Sequence, residues 1–195
     1  MNLEKHSEQA DRGWGDMYYH VIPSLINKFN LKKMCEIGVA FAGHADAILS
    51  KTDIDKFYAV DSYQLSETTT DNFTFDGINY NQNHYNALYE FAKKRLERFE
   101  DRSVFIRKTS EEASLMFDDD SIDIVFIDGE HTYSAIKNDI NKWQSKVKMG
   151  GIISGHDYNH GNFPDIKKFV DEWCLENKYT LNIEDGYVWW VIKDK

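Results

Sequence analysis

Five short apolar runs, each closing on a glycine, an acid or a polar pair and each followed by helical spacing, constrain this chain most. They are residues 33–38 (KMCEIG), 56–60 (KFYAV, then Asp61), 103–107, 122–127 (IDIVFI, then Asp128) and 151–155, which runs into His156 and Asp157. The intervening residues repeat at helical intervals: 43–49, Leu88–Ala92–Leu96–Phe99, 110–116, Ile136–Ile140–Trp143–Val147, and Ile166–Phe169–Val170–Trp173 behind Pro164 and Asp165. Tyr18, Val21, Ile22, Leu25 and Phe29 predict one amphipathic helix ahead of them, and 179–183 with 187–192 predict a closing hairpin around Asp185-Gly186. Strands alternating with helices dictate an α/β fold. The expected architecture is a Rossmann-like doubly wound sheet, mostly parallel with an antiparallel edge strand and helices on both faces. Such sheets bind ligands where strand carboxyl ends emerge, at the point where strand order reverses.

The 195 residues suit a single domain over 1–195, with 1–30 as an N-terminal helical cover. Residues 62–83 carry no clean period and read as a substrate lid bearing Tyr63, Phe73, Phe75 and Tyr80. Asp11 to Tyr19 reads as a second cover. Of Trp189 and Trp190, one is expected in the core and the other over an edge. A net charge of -10 repels a phosphate backbone, which argues against nucleic acid as a partner. No apolar run is long enough to span a bilayer. Cys35 and Cys174 lie far apart within apolar patterns and read as reduced, so a cytoplasmic setting is expected.

Two constellations fall on strand ends. After the first strand, Gly38 and Gly43 let the backbone approach a ligand closely, and the next helix offers free N–H groups to an anion. The spacing is not G-x-G-x-x-G, which disfavours a dinucleotide. The same glycines would equally serve tight strand-to-helix packing. Asp61, at the end of the second strand, is placed to accept from ribose hydroxyls. With these residues the chain resembles the class I S-adenosylmethionine-dependent methyltransferases. That resemblance implies that Gly38 to Gly43 hold the methionine part of the cofactor and Asp61 the ribose. It implies that Glu36 lies near the ammonium, and that Ser110 and Glu111 line the adenine, although a Ser/Glu pair would also cap a helix.

The second constellation is Asp128, His131, His156 and Asp157. Neighbouring parallel strands lie about 4.8 Å apart, so two tips bring Asp128 and the His156-Asp157 pair together. Two carboxylates with water and a substrate oxygen suit Mg²⁺, with Mn²⁺ or Ca²⁺ as alternatives. Each residue also has a plain structural use: Asp128 as a helix cap, Asp157 as a turn residue, and either histidine as an orienting ring. This segment is similar to the metal-dependent O-methyltransferases, closest to the family of macrolide-sugar and glycan enzymes that includes cephalosporin hydroxylase-like proteins. The resemblance implies a cation on Asp128, His156 and Asp157, with His131 as catalytic base beside Asp128, which also borders the cofactor. His156 departs from the family, which carries a carboxylate there; it tilts preference towards Mn²⁺, or else stands behind the ligands. The activity implied is methyl transfer from S-adenosylmethionine to a hydroxyl of a sugar, glycan or small natural product. The alternatives are a hydroxylase-like enzyme on the same fold and a non-catalytic S-adenosylmethionine-binding accessory subunit.

Overall fold

The computed structural model describes residues 2–65, 73–75 and 77–194, with the backbone alone at Asp16 and Phe75. The helices are α1 (Leu3–Tyr18), α2 (Val21–Phe29), α3 (Gly43–Lys51), α4 (Gln82–Leu96), α5 (Ser110–Ser114), α6 (Tyr133–Trp143) and α7 (Pro164–Asn177). The strands are β1 (Lys33–Ile37), β2 (Lys56–Val60), β3 (Thr74–Phe75), β4 (Ile78–Asn79), β5 (Ser103–Ile106), β6 (Ile122–Ile127), β7 (Val147–Gly155), β8 (Asn182–Glu184) and β9 (Val188–Ile192).

Seven strands form one sheet in the order β5-β2-β1-β6-β7-β9-β8. The first five run parallel, and β9 is antiparallel to both β7 and β8. This is the expected doubly wound sheet with its antiparallel addition at one edge. Alternation along each strand feeds two cores. Met34, Ile124 and Phe126 face a cluster completed by α1 to α4, while Cys35, Ile37, Val125 and Ile127 face one completed by α5 to α7. Trp189 and Trp190 follow the same rule, but both are core: each is buried, one in either cluster. Covering both sheet faces leaves no edge role for the second.

Three elements differ from expectation. The N-terminal pattern is two helices, since α1 ends at Tyr18 and α2 starts at Val21. Within 62–83 lie the β3–β4 hairpin and the start of α4, where Asn81 and His84 form a reciprocal cap. The closing hairpin is shorter, with β8 beginning at Asn182.

Candidate functional site

Strand order reverses between β1 and β6, and the residues that continue their ladders define the site. Beyond the strand ends, Gly38 N–H donates to Val60 O (2.9 Å), Asp128 N–H to Ile37 O (2.8 Å) and His156 N–H to Ile127 O (3.1 Å). Gly38, Asp128 and His156 therefore stand side by side on one rim. Gly38 is required here: its φ is +85°, and a Cβ would sit 2.0 Å from the Asp128 carbonyl oxygen.

On the β1–β2 side, Asp61 shapes the loop that follows β1. Its Oδ2 accepts from Val39 N–H (3.0 Å) and Ala40 N–H (3.1 Å), and its Oδ1 from Tyr63 N–H (2.8 Å). Burial raises its pKa, and the three N–H donors oppose that rise. Gly43 faces α1, for a Cβ there would lie 2.1 Å from Asp11 Oδ1 and 2.6 Å from the Tyr19 hydroxyl. Glu36 is buried and bonded through Oε1 to His44 Nδ1 at 2.6 Å. Burial pushes the glutamic acid well above the usual carboxylate range, with Asp128 and Asp61 adding to it, and burial drives His44 down to about 3. Both shifts favour the uncharged form of their group. Glu36 Oε2 and His44 Nε2 are buried with no hydrogen-bond partner among the described residues, a state native proteins seldom leave unanswered.

On the adenine side, Thr109 and Glu112 make the helix cap rather than Ser110 and Glu111. The Ser110 hydroxyl accepts from Trp143 Nε1 (2.9 Å) and bonds the buried Asp139 carboxylate, while Glu111 pairs with Lys142 at 2.7 Å.

Across the rim, Asp128, His131 and Asp157 offer ligand atoms that all lie within 4.8 Å of one another. His131 Nε2 is 2.9 Å from Asp157 Oδ2 and 3.9 Å from Asp128 Oδ1. His156 Nδ1 is 3.2 Å from Asp157 Oδ1 and 3.9 Å from Asp128 Oδ1, and its buried Nε2 has no partner among the described residues. The structure thus gathers His131 with the two carboxylates and sets His156 alongside. Burial works to lower His131, but its bonds to Asp128 and Asp157 prevail and hold it up at about 10. Asp157 is moved down despite its burial by those same two imidazoles. Its backbone sits at φ +61°, a left-handed conformation that aspartate tolerates better than most residues. Phe163 stacks on His131 with centroids 4.0 Å apart and an interplanar angle of 15°, fixing the ring's plane. The donor set of two carboxylates and an imidazole fits a divalent cation.

In the sequence Tyr18 shows only as one apolar position of a helix, with nothing to mark it as part of the site. Tyr18 is buried at the end of α1, and its hydroxyl donates to Asp128 Oδ2 at 3.2 Å. It stands at the end of α1, which packs against α3, and the sequence carries no separate signal for where that helix ends. Of the expected lid, residues 66–72 and 76 lie outside the described residues, as does the Phe75 side chain; Tyr63, Phe73 and Tyr80 pack against the core.

A profile described as a methyltransferase domain matches residues 35–158. Among solved structures, a protein assigned as a caffeoyl-CoA O-methyltransferase from Staphylococcus aureus superposes with TM-score 0.69 at 18% identity, over 98% of this chain and 92% of that one. An O-methyltransferase from Bacillus cereus in complex with SAH gives 0.63 at 12% identity, over 97% and 90%. TomG from Streptomyces achromogenes, an O-methyltransferase involved in tomaymycin synthesis and solved with SAM, gives 0.64 at 10% identity, over 99% and 90%. At these identities the likeness is one of fold. No curated protein sequence matches the chain significantly.

Proposed function

The chain belongs to a methyltransferase-domain family, and from that premise we propose that it is an O-methyltransferase dependent on S-adenosylmethionine and a divalent cation. The acceptor is a hydroxyl of a sugar, a glycan or a small natural product. One observation carries the reading: the convergence of Asp128, His131 and Asp157 on adjoining strand tips beside the β1–β6 switch point.

In this reading residues 1–195 act as one domain, with 1–30 as cover and 62–83 as lid. The Gly38 to Gly43 turn receives the methionine part of the cofactor. The orphaned Glu36 Oε2 fits a buried polar ligand group such as the ammonium. Asp61 keeps lone pairs for ribose hydroxyls beyond the three it gives to backbone N–H groups. Ser110 and Glu111 lie towards the adenine, and Asp128 borders the cofactor. S-adenosylmethionine is further supported by the two similar structures solved with SAH and SAM.

Asp128 and Asp157 would hold Mg²⁺ or Mn²⁺. A divalent cation at that place would supply Lewis-acid stabilisation of the negative charge that develops on the acceptor oxygen. His131 then takes the acceptor's proton at Nε2. A cation that offset the charge of Asp128 and Asp157 would weaken their hold on the His131 proton and free the ring to act as a base. His156 stays behind Asp157 as an orienting ring. The transfer itself is a positioning task. Around His131, Phe163 stacks with His160 at 4.7 Å and Tyr187 lies 6.0 Å from His156, an aromatic rim suited to a ring-shaped acceptor. Two buried, free cysteines accord with a cytoplasmic setting, and among the described residues no helix is long and apolar enough to cross a membrane.

Product mass tests this reading. A panel of sugars, nucleotide-sugars and phenolic compounds is incubated with methyl-labelled S-adenosylmethionine, and a product heavier by one methyl is expected. A product heavier by one oxygen would move the chain to hydroxylase-like chemistry, and cofactor binding without any product would make it an accessory subunit.

A further inference from the structure

We propose that Tyr18, delivered by α1 from outside the matched segment, is a positioning residue that sets the Asp128 carboxylate with one chosen oxygen towards the cation. The inference rests on the metal reading above. Tyr18 Oη donates to Asp128 Oδ2 at 3.2 Å, whereas Oδ1 is the oxygen that faces His131 and His156, each at 3.9 Å. The last torsion of an aspartate is broad and two-fold, so an unheld carboxylate samples orientations that present either oxygen or both. A phenol on Oδ2 removes that freedom and leaves Oδ1 as a single donor.

The phenol is itself fixed. Its ring lies against His156 with centroids 3.9 Å apart, meets His44 edge-on at 5.2 Å and stacks with Phe126 at 6.3 Å. It is 4% exposed, so water does not compete for the hydroxyl. Partners that orient metal ligands in this way typically govern affinity about 10- to 100-fold. The N-terminal helix thus contributes to the metal site as well as covering it.

The test is Mn²⁺ titration followed by the electron paramagnetic resonance of the free ion, in the wild type and in Tyr18→Phe, which keeps the ring and removes only the donor. Mn²⁺ binding is expected to weaken about 10-fold while the affinity for S-adenosylhomocysteine stays unchanged. Equal Mn²⁺ affinity in the two proteins overturns the proposal, as does an equal loss for both ligands, which would mark a packing defect. A wild type that binds no Mn²⁺ overturns the metal reading itself, and this inference with it. A Mn²⁺-soaked crystal of the wild type decides the matter should the variant not fold. Tyr18 Oη on Oδ2 with the ion on Oδ1 is the expected result; both Asp128 oxygens on the ion, or Tyr18 turned away, is the contrary one.

Discussion

At His131 a single imidazole faces two carboxylates, and under the proposed function it is the catalytic base. The His131→Ala variant is expected to lower kcat by about 10²- to 10⁴-fold, the usual worth of a positioned base. Affinity for S-adenosylhomocysteine should not change; parallel losses in a calorimetric titration and in turnover would make His131 a support of the pocket instead. Asp139 offers a different residue-scale test. It is buried on α6, and burial first, with Glu130 adding and the Ser110 bond opposing, lifts its pKa to about 6. The folded state therefore binds this proton more tightly than the unfolded chain, whose aspartates titrate near about 3.9. The favourable contribution is complete below about pH 4 and is lost as pH rises through about 6. At neutral pH Asp139→Asn should be more stable than the wild type by about 1–3 kcal/mol. Urea unfolding at several pH values checks this, and an advantage that grows towards acid would contradict it.

At the scale of elements, the strand tips were legible, and the division of the N-terminal segment into two helices was not. The runs that became β1, β2, β5 and β6 are apolar because both sheet faces are buried, and the residues closing them mark the rim directly. Helix α1 keeps a helical spacing, but writes it in His6, Ser7, Ala10 and Tyr18, which are buried yet mostly polar or small. A hydrophobic count passes over such a face, and Tyr18 was joined to the pattern of α2. Imidazoles and hydroxyls are tolerated there because Arg95 and Tyr80 satisfy them. His6 Nδ1 bonds Tyr80 Oη at 2.7 Å, and Arg95 on α4 binds Ser7 Oγ at 2.9 Å and Asp11 at 2.8 Å. Arg95 also reaches Asp46 on α3 at 3.1 Å, clamping three helices together. Because the guanidinium is about one-fifth exposed, at 21%, screening discounts its ion pairs. Arg95→Met should cost about 1–3 kcal/mol and speed amide exchange in α1 well before the central strands. Uniform acceleration across the chain would show that α1 is not a separately held cover.

For the molecule as a whole, fold and ligand rim come from the same alternation, since a doubly wound sheet brings its strand tips together where the order switches. The acceptor is not written in that way. The fold hosts many chemistries, and the side chains around His131 reach it from the β7–α7 loop and the β8–β9 turn, segments with no periodicity to place them. A net charge of -10 still weighs against a phosphodiester acceptor at this scale. The proposed function stands or falls with a doubly charged ion on Asp128 and Asp157 that activates the acceptor oxygen. Methyl transfer assayed after exhaustive chelation, then after Mn²⁺ or Mg²⁺ is restored, tests it most directly. Turnover should vanish on chelation and return with the ion, and Asp157→Asn should blunt that return; undiminished transfer in metal-free buffer would contradict the account.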